Sequence, residues 1–250
     1  MAASKEATQR AIEHDLVSVA REAFADALEA IIVYGSYLKE TFTPGTSDVN
    51  VLIVVKEGHG SALRMFGKSG RRLLRKHRIT PLVLTRREFT TSADVFPMEY
   101  LDMVESHRVI TGADVTAELN ISHVHLRHEV EHQLRGSLVS LRQLAVAAGR
   151  PRPFRKVLLR RRLEEWYGSI SAILRGLLRL SGATEVPQRP DALLGEINRT
   201  LGLEPGPFLQ LLACREGDCP DSVELIDALL ERLARLVEIV DAGPGAAEGS

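Results

Sequence analysis

Ala30-Ile31-Ile32-Val33-Tyr34-Gly35-Ser36, followed by Ser47-Asp48-Val49-Asn50 and the run Val51-Leu52-Ile53-Val54-Val55, is the stretch whose reading decides the fold. Its first run is short, apolar and rich in β-branched residues, the pattern of a buried strand stopped by Gly-Ser. A glycine at that point lets the backbone turn tightly and brings amide groups close to a phosphate. The Ser36 hydroxyl adds a donor for a phosphate oxygen. Pro44 and Gly45 mark a loop before the second strand, which Glu57-Gly58-His59-Gly60 closes. Side chains alternate along a strand, so Asp48 and Asn50 share one face while Val49 and Val51 turn into the core. Two oxygen donors on one edge, facing a phosphate-holding turn, suit Mg²⁺-assisted phosphoryl transfer.

Around this stretch the pattern is that of an α/β half. Residues 5–28 predict an amphipathic helix through Ile12, Leu16, Val19, Phe24 and Leu28. A basic helix is expected over about 61–77, then a third strand at Pro81-Leu82-Val83-Leu84, a short helix near 86–92 and a strand near 98–104. Beyond about residue 115 the period becomes helical throughout. Leu126, Val130, Leu134, Leu138, Leu141, Ala145 and Ala148 form one stripe. A second runs through Leu159, Leu163, Trp166, Ile170, Leu174 and Leu177, and shorter helices follow at 190–201, 206–214 and 221–240. Prolines 151, 153, 187, 190, 205 and 207 sit in the breaks, and residues from Gly243 on read as a flexible tail.

Composition adds bounds. The 250 residues, 44% hydrophobic and 26% charged, are enough for one large domain or two small ones. A net charge of −1 names no partner by itself. Cys214 and Cys219 are too few for a disulfide framework, which favours a reducing cytoplasm. There is no basic leader followed by an apolar core, and no apolar run nears the roughly 20 residues needed to span a bilayer. The expectation is a soluble, cytoplasmic protein with no membrane partner.

The order strand, Gly35-Ser36, spacer, Asp48-Val49-Asn50, strand over Ile31 to Val55 resembles the nucleotidyltransferase superfamily, the DNA polymerase beta-like fold. Small bacterial members often append a helical domain, as the second half here suggests. The resemblance implies an α+β architecture: a nucleotidyltransferase-like mixed sheet with flanking helices over 1–115, an all-α helical bundle over 116–241 and a tail over 242–250. It implies that Gly35 and Ser36 bind the triphosphate and that Asp48, with Asn50, is catalytic and holds Mg²⁺. The reaction implied is transfer of a nucleoside monophosphate from an NTP to an acceptor hydroxyl. Small molecule, protein and RNA are open as acceptors, and the apolar helices could support a homodimer.

Two departures bear on the chemistry. The second family carboxylate is Asn50 here, which removes a negative charge from the metal site. A third acid is expected on a later strand, yet Arg78-Ile79-Thr80-Pro81-Leu82-Val83 carries none. Glu99 and Asp102 lie near the next candidate strand and could substitute. The alternative reading is therefore a catalytically impaired relative serving as a nucleotide-binding or regulatory partner.

Other motifs have plainer explanations. His128-Glu129-Val130-Glu131-His132 fits the H-E-x-x-H zinc pattern. With Leu126 at 0° and 100° per residue, however, the apolar stripe falls between 0° and about 120° while His128 and His132 fall near 200° and 240°, a solvated face. Arg127-x₄-His132 resembles the R-x₄₋₆-H motif of helical nucleotide-binding ribonuclease domains, but on the first long helix rather than a late one. Gly67-Lys68-Ser69 lacks the upstream glycine and strand of a P-loop. Arg64, Lys68, Arg71, Arg72, Arg75, Lys76 and Arg78 form one basic segment, and Arg150 to Arg162 a second. Each suits phosphates or is a solvated face balanced elsewhere, and few aromatics interleave them.

Overall fold

The structure is a computed structural model that describes residues 4–39, 42–43, 47–149, 154–183, 185–216 and 222–243, with the backbone alone for 154–158, 215–216 and 222. The chain divides into two compact units, residues 1–122 and 123–250.

In the first unit, α1 (Lys5–Arg10) runs through a π-helical segment, Ala11–Leu16, into α2 (Val17–Phe24). Strand β1 (Leu28–Tyr34) follows, then a 3₁₀ turn at Gly35–Leu38 and strand β2 (Val49–Val55). Next come α3 (Gly60–His77), β3 (Ile79–Thr85), α4 (Arg86–Thr91), α5 (Pro97–Glu105) and β4 (His107–Gly112). The strands form one mixed sheet in the order β3-β2-β1-β4. β2 pairs antiparallel with β1 and parallel with β3, and β4 pairs antiparallel with β1.

Both faces of the sheet are buried, which is why its central strands read as continuous apolar runs rather than alternating ones. Ile31, Val33, Val49, Val51, Ile53 and Val55 meet Ile12, Leu16, Ala20, Phe24 and Phe66 of the N-terminal helical segment and α3. Phe24 and Phe66 stack with ring centroids 5.5 Å apart, locking α2 to α3. On the other face, Ala30, Ile32, Leu52 and Val54 meet Phe89 of α4 and Tyr100 and Met103 of α5.

The strand expected near 98–104 is helix α5 instead. Pro97 occupies the first helical turn, where its missing N–H costs nothing, and Met98 and Met103 are buried beside Tyr100. The fourth strand lies just beyond, at 107–112. The loop expected at 37–47 begins as a 3₁₀ turn, and residues 40, 41 and 44–46, including Pro44 and Gly45, lie outside the described residues.

The second unit is all helical among its described elements: α6 (His123–Ala148), α7 (Phe154–Leu180), α8 (Pro190–Leu201), α9 (Gly206–Glu216) and α10 (Ser222–Ala242). Leu126, Val130, Leu134 and Leu141 of α6, Leu163, Ile170 and Leu174 of α7, and Leu229, Leu233 and Leu236 of α10 are buried. Cys214 is buried at the end of α9 and disulfide-bonded, where the two-cysteine count favoured a reduced thiol. Cys219 and residues 244–250 of the expected tail lie outside the described residues. No described helix is long and apolar enough to cross a membrane.

Candidate functional site

The C-terminal end of β1, the N-terminal ends of β2 and β3 and the start of β4 meet at one end of the sheet. Tyr34 pairs with Asn50 on one side and His107 on the other, and Asn50 pairs with Thr80. His107, Tyr34, Asn50 and Thr80 thus form a polar row across all four strands. The row continues the face packed against α4 and α5, because Tyr34 is in phase with Ala30 and Ile32. Cross-strand neighbours of this kind have Cβ atoms about 5 Å apart, close enough to share one ligand.

Gly35 turns the chain at this end, with φ +79°, a conformation that a Cβ would strain. A Cβ there would also lie 3.5 Å from Asn50 Nδ2, so the glycine brings the Asn50 amide against the turn. The structure changes one element of the expected phosphate cradle. The Gly35 N–H donates to the Ser106 carbonyl at 2.9 Å and is spent on anchoring β4. Ser36 remains available: its hydroxyl has no hydrogen-bond partner among the described residues.

Asp48 and Asn50 occupy the same end of β2, and Asp48 is already engaged. Arg78 Nη2 lies 2.8 Å from Asp48 Oδ1, with the two side chains 45% and 57% exposed. Arg78 is placed for this by its backbone. It ends α3 in the left-handed conformation (φ 52°, ψ 39°), and its carbonyl accepts the Val49 N–H at 2.9 Å. The sequence put Arg78 in a basic run and at the head of the third strand but not at the site, because a left-handed helix end is usually signalled by Gly or Asn.

His107 is a second residue the sequence did not single out. Its Nδ1 lies 3.0 Å from the Val104 carbonyl, and its Nε2 lies 3.1 Å from Asp114 Oδ2 and 3.0 Å from Thr116 Oγ1. Hydrogen bonds from the Thr116 hydroxyl and from His107 hold the Asp114 carboxyl below its ordinary range. Beside His107, burial pushes the Tyr34 phenol up, and Tyr100 adds to the shift.

Among the described residues these donors do not make a two-metal site. Asp48 is the one carboxylate on the row's edge of β2, its charge is matched by Arg78, and β3 carries no acid. Glu99 and Asp102 belong to helix α5 rather than to a strand. No group of three or more His, Cys, Asp or Glu able to hold a metal ion occurs among the described residues.

The remaining sequence motifs resolve as structure. His128 and His132 are exposed on α6. Arg127 Nε bonds Glu131 Oε1 at 3.0 Å, and its Nη2 reaches the Val240 carbonyl at 3.0 Å, so it caps the end of α10. Within the second basic segment, Arg160 pairs with Glu164 and Arg161 with Glu165, while Arg150 and Arg152 lie outside the described residues. Trp166 is not core; with Arg162, Glu165 and Ser140 it lines a cleft of about 410 Å³ between α6 and α7.

Residues 17–101 match the family model described as a nucleotidyltransferase domain. No curated protein sequence matches the chain. Among solved structures, the fold matches a spectinomycin adenyltransferase from Enterococcus faecialis, determined with ATP and spectinomycin, at a TM-score of 0.51 and 14% identity over 89% of this chain and 98% of that one.

Proposed function

We propose that this nucleotidyltransferase-fold chain holds a nucleoside triphosphate at the polar end of its sheet, in a site better suited to binding than to rapid transfer. One observation carries the reading: the Asp48–Arg78 ion pair stands where a metal-binding acid cluster would be needed. A bare carboxylate beside a triphosphate would repel it. The guanidinium cancels that charge, and with one of its five N–H groups on Asp48 it keeps others for phosphate oxygens. Ser36 adds a hydroxyl on the turn after β1, and Asn50 offers an amide in place of a second acid.

Nucleoside monophosphate transfer is the second reading, favoured by the family-model match across β1, the Gly35-Ser36 turn and Asp48. In that reading the chain itself aligns the phosphate and the acceptor hydroxyl, with Asp48 as the acid at the reacting centre. Small molecule, protein and RNA are the acceptor classes to be tested, and Mg²⁺ is the ion to be supplied.

Calorimetric titration with each NTP, with and without Mg²⁺, combined with a radiolabel-transfer assay, separates the two. The expected outcome is nucleotide binding that needs no added metal, weakened about tenfold or more by Arg78→Ala, the loss of one charge-assisted contact. Label transfer that disappears in Asp48→Ala would overturn the binding-only reading in favour of the second.

A further inference from the structure

Helix α3 carries a charge pattern that the nucleotide site does not use. Arg64, Lys68, Arg71, Arg72, Arg75 and Lys76 are all exposed, and no acid falls between Glu57 and Glu88. At 100° per residue these six side chains fill an arc of about 140°, opposite the Phe66, Leu73 and His77 side that packs into the unit. Arg64, Lys68, Arg72 and Lys76 form an unbroken i,i+4 ladder, about 18 Å long at 1.5 Å per residue. None of the six has an acidic partner among the described residues.

Helix α7 is the internal control. Its Arg160 and Arg161 are each answered by a glutamate one turn on. A solvated basic face is normally balanced in this way, because like charges at i,i+4 disfavour the helix that carries them. On α3 the repulsion is left standing along the whole exposed face, as expected of a surface whose neutralising charge comes from a partner.

We infer that α3 is a docking surface for the phosphate backbone of a double-helical nucleic acid. Regularly spaced cations about 6 Å apart along a rigid rod match a repeating phosphate anion better than a single small ligand. A bilayer surface fits less well, because most of the apolar side of α3 is buried against the sheet and α2, and only Leu63 and Met65, both near its start, are left exposed to insert. A single strand also fits less well, since the one aromatic residue between the cations, Phe66, is buried in the core and cannot stack on bases. The inference does not rest on nucleotide binding or transfer at the sheet end.

Fluorescence anisotropy on the full chain tests it, using RNA and DNA hairpins of about 20 base pairs, an unpaired oligonucleotide of equal length and phosphatidylserine vesicles. Hairpin binding should weaken steeply with salt, and the tighter hairpin identifies which nucleic acid is preferred. Replacing the ladder (Arg64→Gln, Lys68→Gln, Arg72→Gln, Lys76→Gln) removes up to four phosphate contacts. The log–log salt slope should then become shallower by about 4, equivalent to roughly 100-fold of the wild type's loss between 50 and 200 mM salt. Arg160→Gln with Arg161→Gln should change nothing. Should the four-site variant fail to fold, either half of it (Arg64→Gln with Lys68→Gln, or Arg72→Gln with Lys76→Gln) should remove about half the slope. Absent hairpin binding, a slope unchanged by these variants, or tighter binding to the unpaired strand or the vesicles would overturn the inference.

Discussion

Arg78 combines a conformational cost with an electrostatic gain. A non-glycine residue in the left-handed region costs about 1–2 kcal/mol, whereas an exposed ion pair such as Arg78–Asp48 returns about 0.2–1 kcal/mol. Stability alone therefore does not favour arginine there. Arg78→Gly should leave the unfolding free energy within about 1 kcal/mol of wild type in urea denaturation, or raise it, by relieving the backbone. The same substitution should weaken NTP binding about tenfold or more by calorimetry, as Arg78→Ala does. A variant that lost stability in step with affinity would show the arginine to be structural. Gly35, Ser36, Asp48 and Asn50 could be proposed from sequence because turn and strand chemistry are local. Arg78 and His107 could not. Their places at the site depend on which strands pair and in what register, and no short window encodes that.

Among elements, the join between α1 and α3 depends on protonation. His77, buried at the end of α3, pairs through Nδ1 with the Thr8 hydroxyl at 3.1 Å. Burial lowers its pKa, the neighbouring Lys76 lowers it further, and Asp15 opposes them. With the folded pKa below the unfolded value near 6.5, the unfolded chain takes up the proton first as pH falls. The stabilisation is therefore complete above about pH 6.5 and is lost as pH falls through the folded pKa. Melting temperature should drop between pH 7 and pH 5, and His77→Leu should flatten that profile while costing stability at pH 7. A wild-type profile no steeper than the mutant's would remove His77 as the cause. Elements defined by long apolar runs, such as β1, β2 and the two longest helices, were readable from periodicity. Residues 98–104 were not, because a short apolar run suits a strand as well as a helix and only burial of Met98, Tyr100 and Met103 under the sheet decides. β4 is harder to read for a related reason: polar His107-Arg108 opens it, and its residues are only partly buried or exposed.

Across the whole molecule, each unit encloses a core of its own, sheet-centred in residues 1–122 and helical in residues 123–250. Expressed alone, residues 1–122 should fold, giving a cooperative melt and mixed α/β circular dichroism; a broad, non-cooperative transition would mean that its core depends on the rest of the chain. The edge of the sheet bears on association between chains. The Arg78 carbonyl points toward β2, so the even-numbered residues of β3 bond inward and Pro81 takes an outward position, where it has no N–H to offer. A second copy adding a strand to this side would find a gap in the middle of its donor row. The missing donor disfavours growth of the sheet along β3, so a dimer that extended the ladder there would do so with a weakened middle.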